Sequence, residues 1–461
     1  MTTASFSDGP HDEHAGNSGA PGWFDPPPAQ TGPDEPRPRG RHLASVGPDQ
    51  QPRQPEDQPG GRPEHPGQPL AEHGASEEVP SLDALLIRRT LEEIEPRADE
   101  AVGYFYAMLF VRAPHLRELF PVSMDVQRDR LFRALLTAVR LSDDERLLTE
   151  YASELGRGHR KYGTQAEHYP AVGESLLAAL ARFAPRTWSP QAETAWARAY
   201  TLISQIMIDA AATDELRAPA VWEAEVVSHQ MRTPDIAVLT VRPDQPYPFL
   251  AGQYASVETP WWPRVWRPYS FATAPSSDGL LTFHVRAVPA GWVSNALVHR
   301  ARAGAVIRLG RPTGSMTVDH RSDSGLLCLG GGTGIAPIRA LVEDVAHHGR
   351  ARTMEVFYGA RHRADLYDLD SMVELERRHP WLSVRPVLAE GAGGLDCPSG
   401  QALRGQLPEA VRGFVPRGSF DAYLSGPPGL IRSGRDALVG VGIPTHRIRH
   451  DAIDELVAQG E

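Results

Sequence analysis

One histidine in the first half of the chain has neighbours suited to holding an iron porphyrin. His159 lies in the segment ELGRGHRKYG, one helical turn after Leu155. A penta-coordinate haem needs a neutral imidazole on one side, apolar walls, and a few polar groups over the opposite face. Gln127 and Leu131 share the same i, i+4 spacing, which places an amide and an apolar side chain toward one cavity. The chain has 18 histidines, so the haem prediction depends on these neighbours and not on His159 alone.

A second group of residues, in the segments GQY and WRPYSFATAP, is suited to binding a flavin. A guanidinium fork suits a pyrophosphate, an aromatic ring suits the flavin ring, and a hydroxyl suits the flavin N5 edge. The R-x-Y-S pattern resembles the ferredoxin-reductase superfamily, and the later GWVS turn matches the G-x-V-S of that family. With the glycine-rich loop that follows, the combination indicates a flavin domain. The residues expected to bind FAD are Tyr254, Arg267, Pro268, Tyr269, Ser270, Gly291, Val293 and Ser294.

A glycine-rich turn follows the strand-like segment GLLCL and precedes a helical pattern. Glycines at such a turn let the backbone approach a pyrophosphate, and the helix N-terminus favours its negative charge. The GK[ST] ending of a P-loop is absent from this turn, which argues against nucleotide hydrolysis. The later SGPPGLI matches the second nicotinamide loop of the same family. The residues expected to bind NADH or NADPH are Gly331, Gly332, Thr333, Gly334, Ile335, Ala336, Pro337, Ser425, Gly426 and Pro427.

The choice between the two coenzymes is poorly marked in the sequence. After the second strand of this region, YGARHRADLYD presents both Arg361 and Asp365. An arginine suits the 2′-phosphate of NADPH, whereas a carboxylate suits the free ribose diol of NADH. Both alternatives stay open, with a slight preference for NADH.

The elements that must position these residues fall into four regions. Residues 1–80 are rich in Pro, Gly, Gln and charged residues and are expected to form a disordered tail, whose protein partner is unknown. Residues 81–216 show helical spacing after the predicted N-cap Ser81 and predict an all-α domain. Residues 219–320 show short β-branched runs, which predict an antiparallel β-barrel. Residues 324–461 alternate strands and helices, which predicts an α/β domain with a parallel sheet.

The helical region is similar to the globin domain of bacterial flavohaemoglobins. The similarity rests on the order of FY, PHLRELF, QRxxL, the histidine and EHYxxVGE within residues 82–212. It implies a haem b, and a globin fused to an FAD and NAD(P)H module. The matched residues are His159 as iron ligand, Tyr106 and Gln127 as donors to bound oxygen, Tyr169 as the hydroxyl that orients the imidazole, and Phe120, Leu131 and Val172 as haem-lining side chains.

The chain departs from the family pattern beside the iron ligand. The glutamate that normally completes the hydrogen bonds of the imidazole aligns with Thr213, while Asp214 and Glu215 lie just beyond it. Either one of these two carboxylates is reached by a small shift, or the arrangement is incomplete. A hydroxyl or carboxylate on the second imidazole nitrogen makes histidine a stronger iron donor, so this change bears on the rate of oxygen chemistry.

Two further departures concern the haem edge and the end of the chain. The lysine that usually precedes the iron ligand is Gly158, and the flanking Arg157 and Arg160 are candidates to replace it near a haem propionate. The aromatic residue that usually lies beside the flavin is Ile453. Nicotinamide access to the flavin is therefore expected to differ, unless His450 supplies part of the missing contact.

The composition excludes several other classes of protein. The formal charge of −11 carries no block of like charge, which argues against nucleic acid as a partner. Two distant cysteines argue against a disulfide framework, a structural zinc site and a plant-type iron–sulfur cluster, all of which need more thiolates. No segment has the length of a membrane span, and the N-terminus lacks a signal-peptide core, so a cytoplasmic protein without membrane contact is expected.

The resemblance implies that electrons pass from NAD(P)H through FAD to the haem, and that the protein oxidises nitric oxide to nitrate with dioxygen. Nitric oxide and O₂ would then be its small-molecule partners, and nitric oxide detoxification its role. Two alternatives stay open. One is a flavin reductase for an external acceptor, with a regulatory globin. The other is a haem-based gas sensor that signals through the N-terminal tail.

Overall fold

The computed structural model describes residues 81–122, 124–142, 144–348, 350–391 and 396–451, and it gives only the backbone for residues 125–129. The predicted disordered tail and Ile453 lie outside the described residues. The side chain of Gln127 also lies outside them. Within the described residues, no helix has the length and apolar character needed to cross a membrane.

Six helices of the described residues form the first domain. Each of α1, α4 and α6 begins at a side chain that accepts a hydrogen bond from a backbone amide of the first turn, and the predicted N-cap Ser81 accepts from the amide of Ala84 over 3.1 Å. Short 3-10 turns begin at Glu95, Pro114, Arg160 and Ala166. The helices are α1 (Leu82–Ile94), α2 (Ala98–Arg112), α3 (Asp125–Arg140), α4 (Glu145–His159), α5 (Tyr169–Phe183) and α6 (Pro190–Glu215).

Close packing of α4 on α6 fixes the end of the helix that carries His159. A Cβ added to Gly156 would lie 2.2 Å from the carbonyl oxygen of Met207, so only glycine permits this approach. Leu155 and Met207 belong to a small buried cluster between the two helices. The packing leaves His159 buried, with 4% of its surface exposed.

The second domain is a curved antiparallel sheet in the strand order β4-β3-β6-β1-β2-β5, with one helix, α7, packed against it. An isolated bridge between Phe271 and Phe283 joins the end of β4 to the opposite edge strand β5, so the sheet curls toward a barrel. The predicted antiparallel β domain is confirmed. Its elements are β1 (Trp222–Thr233), β2 (Ile236–Pro243), β3 (Tyr254–Thr259), β4 (Trp262–Ser270), β5 (Leu281–Arg286), α7 (Trp292–His299) and β6 (Val306–Thr313).

The third domain is a parallel sheet in the order β12-β9-β8-β7-β13-β14, which confirms the predicted α/β architecture. β10 and β11 form a separate short hairpin. The strand order reverses between β7 and β13, and ligands bind at such a point in open α/β sheets. The elements are β7 (Gly325–Gly331), α8 (Ile335–His348), β8 (Met354–Ala360), α9 (Leu369–Arg378), β9 (Leu382–Leu388), β10 (Asp396–Cys397), β11 (Gly400–Gln401), β12 (Leu403–Arg404), α10 (Leu407–Arg412), β13 (Phe420–Ser425), α11 (Pro428–Gly440) and β14 (Ile448–Arg449).

Candidate functional site: a haem cavity joined to two nucleotide sites

The helical domain contains a mostly apolar cavity of about 350 Å³. The cavity brings together residues from α2, α3, α4 and α5 that are far apart in the sequence. Gln127 precedes Leu131 by one turn on α3, although the structure describes no side chain for it. Six of the seven residues matched to the globin pattern line this cavity: Tyr106, Phe120, Leu131, His159, Tyr169 and Val172.

The imidazole of His159 lies at the end of α4 and beside the first residue of α5. Its Nδ1 is 3.5 Å from the Tyr169 hydroxyl oxygen, which leaves Nε2 as the nitrogen for an iron ion. Burial raises the pKa of Tyr169 to about 12, so the hydroxyl keeps its proton at neutral pH. Tyr200 donates a hydrogen bond of 2.6 Å to the Tyr169 carbonyl and so fixes the start of α5. These contacts hold the buried imidazole of His159 in one orientation.

The residues near the end of α6, where the family has its glutamate, have the following contacts. Asp214 forms a salt bridge with Arg160, whose guanidinium also donates to the Ala218 carbonyl over 2.9 Å. Thr213 donates to the Asp209 carbonyl and is exposed, as is Glu215. Asp214 thus binds the residue after His159, and Arg160 ties α4 to the segment that enters the second domain.

The opposite side of the cavity is aromatic. Tyr106 is 4% exposed and meets Phe120 edge to face, with ring centroids 5.5 Å apart. Trp196 on α6 also lines the cavity, and its buried indole N–H has no hydrogen-bond partner among the described residues. A buried donor without a partner is costly unless a ligand or water supplies an acceptor. An apolar cavity with one oriented imidazole, a tyrosine and such a donor fits a haem.

The predicted flavin residues are brought together by the pairing of β3 with β4. Tyr254 of the GQY segment lies opposite Ser270, and Ala255 lies opposite Tyr269. Arg267 donates a hydrogen bond of 2.9 Å to the Trp266 carbonyl. Burial raises the pKa of Tyr269, so its ring stays neutral. The register therefore places the R-x-Y-S residues next to Tyr254 along one sheet edge, an arrangement that fits the FAD expected from the motif.

The GWVS turn forms the start of α7. Gly291 is its N-cap, and Ser294 donates a hydrogen bond of 3.1 Å to the Gly291 carbonyl. The Val293 side chain is 1% exposed and packs in the core of the sheet. Any contact of Val293 with FAD would therefore be through its backbone.

The two predicted nicotinamide loops touch each other at the point where the strand order reverses. A Cβ on Gly334 would lie 2.2 Å from the Ser425 carbonyl oxygen, and one on Gly331 would lie 2.3 Å from Leu430. Gly332 has φ of +55°, a left-handed conformation that favours glycine. The turn leads directly into α8 at Ile335, and the side chains of Ile335, Ala336 and Pro337 are buried. Backbone atoms of this turn are therefore the groups available to a pyrophosphate.

The two residues that bear on coenzyme choice have separate partners. Asp365 accepts from the backbone amide of His362 and lies 3.3 Å from Arg286 of the FAD domain. Arg361 is largely exposed and lies 3.9 Å from Glu390. Both residues lie near the end of β8, so both coenzymes stay open, with the slight preference for NADH drawn from the sequence.

The end of the described chain packs beside Tyr254 of β3 and the segment that follows β6. Asp451 is buried and accepts hydrogen bonds from the amide and hydroxyl of Ser315, over 2.9 and 3.1 Å. Burial raises its pKa to about 6. A Cβ on Gly314 would be 2.6 Å from the Asp451 carboxylate and 3.1 Å from the Tyr254 ring. His450, just before it, has a buried Nδ1 for which the described part of the chain supplies no hydrogen-bond partner. Sequence reasoning did not find Asp451.

Trp266 directly precedes Arg267 on β4, the flavin strand, and joins this strand to the helical domain. It is 2% exposed and packs in the core of the helical domain. Lys161 crosses the same boundary and donates to the Ser256 hydroxyl over 3.0 Å. Arg264 donates to the Tyr162 carbonyl over 3.2 Å. These contacts lie within a few residues of His159 on one side and of Arg267 on the other.

Comparison with known proteins assigns a family to each part. The family models that match are Globin over residues 103–207, Oxidoreductase FAD-binding domain over 220–318, and Oxidoreductase NAD-binding domain over 328–436. The chain is thus an oxidoreductase of the NAD(P)H-dependent type that combines a globin with two nucleotide-binding domains, and its cofactors are haem, FAD and a nicotinamide nucleotide. This combination of domains agrees with the flavohaemoglobin resemblance of its sequence.

The relatives agree with this assignment. A flavohemoprotein of Chromobacterium violaceum is 28% identical over 79% of this chain and 96% of its own length. The xylene/toluene monooxygenase electron transfer component XylA of Pseudomonas putida is 35% identical, but the match spans 47% of this chain and 61% of the relative. A solved flavohemoglobin from Malassezia yamatoensis shares the fold, with a TM-score of 0.66, 21% identity, and coverage of 80% of this chain and 98% of that one.

Proposed function

We propose that this flavohaemoprotein is a nitric oxide dioxygenase, which uses NAD(P)H and O₂ to convert nitric oxide to nitrate. One observation carries the proposal. Six residues of the globin pattern line a single buried cavity, and the helix that ends at His159 leads directly into the contacts with the flavin strand. An oxygen-binding cavity fused to its own reductase suits a reaction that consumes one electron in each cycle.

When bound, the haem supplies oxygen binding and nitric oxide oxidation, and the flavin converts a hydride into single electrons. The residues of this chain hold and orient these groups. The His159 imidazole is the proposed iron ligand. The Tyr169 hydroxyl accepts a hydrogen bond from the Nδ1–H group and so fixes the tautomer of the ring. Tyr106 and Gln127 are the proposed donors to the gas ligand. The apolar walls at Phe120 and Leu131 exclude water from it.

The residues of the second and third domains are proposed to bind FAD and NAD(P)H. The Arg267 guanidinium and the GWVS turn are proposed to bind the FAD pyrophosphate, with Tyr269 against the flavin ring and Ser270 near N5. The glycine turn before α8 is proposed to bind the pyrophosphate of NAD(P)H, and the 425–427 loop beside it is proposed to direct the nicotinamide toward the flavin.

A second candidate, a reductase for an external acceptor, is favoured by one observation. Asp214, one of the two carboxylates that the sequence left as candidates to complete the imidazole arrangement, forms a salt bridge with Arg160. Its carboxylate is therefore engaged by the guanidinium that follows the proposed iron ligand. Under this alternative, NADH oxidation by an added acceptor would persist after His159→Ala, while nitric oxide would not affect turnover.

The test is nitric oxide consumption by the holoenzyme with NADH and O₂. Because nitrate formation from nitric oxide and O₂ takes one electron and a hydride supplies two, two nitric oxide molecules should disappear per NADH, with nitrate as product. His159→Ala should abolish consumption, whereas His299→Ala, at an exposed position in α7, should leave it unchanged. NADH oxidation without nitrate in the unaltered protein would contradict the proposal and favour the reductase.

A further inference from the structure

Three side chains outside the cofactor sites converge at the far end of α8. Asp344 and His348 lie one turn apart on the helix, and His320 reaches them from the segment between β6 and β7. One nitrogen or oxygen atom from each side chain lies within 4.8 Å of the other two. Nitrogen and oxygen ligands of this kind, two imidazoles and a carboxylate, are those that first-row transition ions prefer.

The contacts among the three residues hold them in place. His320 Nε2 is 2.7 Å from the Asp344 carboxylate. The rings of His320 and His348 are stacked, with centroids 3.5 Å apart and an interplanar angle of 3°. The stack and the hydrogen bond bring both imidazole rings beside the Asp344 carboxylate, so ring nitrogens and a carboxylate oxygen lie together within reach of one ion.

The exposure of the three residues suits an ion that enters from solvent. His320 and Asp344 are half-buried, whereas His348 is exposed, so its ring is able to turn and direct a nitrogen at an ion. Arg350 lies nearby, but its charge is paired with Asp323, and its bond to His320 goes to the backbone carbonyl over 3.3 Å. The Arg350 charge is therefore compensated by Asp323, and the adjacent Arg321 lies 3.5 Å from Asp319, so each of these cations has a carboxylate partner other than Asp344.

We propose that His320, Asp344 and His348 form a binding site for a divalent transition-metal ion such as Zn²⁺. An ion bound at His320 Nε2 would take the place of the hydrogen bond to Asp344, and the ring would carry its N–H on Nδ1. The ion would tie the last turn of α8 to the segment that connects the FAD and NAD domains. Because Asp344 is nine residues after Ile335, the ion would lie about 14 Å along the helix from the turn proposed to bind NAD(P)H.

The experiment is equilibrium dialysis of the full-length holoenzyme against Zn²⁺, with bound zinc measured by elemental analysis. The variants are His348→Ala and Asp344→Asn, and the matched control is His347→Ala, an exposed neighbour on the same helix outside the cluster. His348 and His347 are both exposed, so neither substitution disturbs a packed core. Weak binding by histidines elsewhere in the chain is the same in all four proteins and is removed by comparison.

We expect the unaltered protein and His347→Ala to hold one more tightly bound zinc ion than the other two variants. Loss of one ligand should weaken zinc binding at least about tenfold, since even changes beyond the direct ligands cost that much in metal sites. The same zinc binding in all four proteins would overturn the proposal and leave the three residues as a hydrogen-bonded stack. The measurement is independent of nitric oxide turnover, so its result does not depend on the proposed function.

Discussion

Trp266 of the flavin strand and Tyr162 of the globin meet edge to face, with ring centroids 6.3 Å apart and an interplanar angle of 79°. Tyr162 lies three residues after His159, and Trp266 immediately precedes Arg267. The Lys161 ammonium lies over both rings, 5.2 and 5.4 Å from their centroids. This aromatic contact therefore links the residues proposed to hold the haem to those proposed to hold the FAD.

Trp266→Phe should slow reduction of the haem by the flavin without slowing reduction of the flavin by NADH. The smaller ring keeps an apolar side chain but loosens the contact with Tyr162, and small changes in the spacing of reacting groups cost tenfold or more. We expect a loss on the order of tenfold, measured by anaerobic stopped-flow absorbance at the haem and flavin bands. The control is Trp381→Phe in the NAD domain. Equal haem reduction rates in both variants would contradict this role.

Tyr169→Phe should lower nitric oxide turnover while haem stays bound. The change removes the hydroxyl 3.5 Å from His159 Nδ1 but keeps the ring that lines the cavity. Loss of a hydrogen-bond partner behind a metal ligand costs about 10- to 100-fold. The iron–histidine stretching frequency of the ferrous protein, measured by resonance Raman, should also fall. Tyr104→Phe, which packs against Phe183, is the control, and a frequency that does not move in Tyr169→Phe would exclude this orienting role.

Gly334→Ala should block reduction by NADH but not by dithionite. The added methyl would lie 2.2 Å from the Ser425 carbonyl, so the two proposed nicotinamide loops must separate. The Michaelis constant for NADH should rise by at least about tenfold. Gly440→Ala, whose Cβ would meet no atom within 4 Å, is the control in the same domain. An unchanged Michaelis constant in Gly334→Ala would show that the coenzyme binds elsewhere.

The free energy of unfolding should fall in mild acid because of His284. Burial lowers its pKa from 6.5 to about 4, and its Nδ1 is hydrogen-bonded to Tyr367 of the NAD domain over 2.8 Å. Between pH 6.5 and 4 the unfolded chain therefore gains a proton that the folded chain does not, and stability falls as the pH drops. The loss is about 3 kcal/mol, which is absent above pH 6.5 and complete below pH 4.

The variant His284→Gln isolates this contribution, since glutamine does not titrate. Urea midpoints from pH 7.5 to 4 should fall more steeply for the unaltered protein than for the variant. The variant also loses packing at a buried position, so the comparison is between slopes and not absolute midpoints. Parallel slopes would mean that His284 takes up its proton in the folded state as readily as in the unfolded one.

The sequence predicted the fold well because each domain has a local signature. Helical spacing before residue 216, β-branched runs after it and the glycine turn before α8 are patterns that neighbouring residues carry. The cluster around the haem cavity was also predicted, since the motif around His159 has several matched positions. The roles of the individual residues stay proposals.

What the sequence did not predict depends on contacts between distant segments. Trp266 contacts Tyr162 across 104 positions of sequence, and His320 meets Asp344 only after the connection between two domains has folded back. Asp214 was a candidate partner for the imidazole, but its salt bridge with Arg160 depends on how α6 ends against α4. The spacing of neighbouring residues in the sequence does not predict such pairings.

The central claim is that electrons from the nicotinamide nucleotide reach the haem within one chain. The most direct measurement is the absorption spectrum of the purified holoenzyme before and after anaerobic addition of NADH under carbon monoxide. The account predicts that the flavin bands bleach and that the Soret band shifts to the ferrous carbon monoxide form. A flavin that bleaches while the haem band stays ferric would contradict the account and identify the protein as a reductase for an external acceptor.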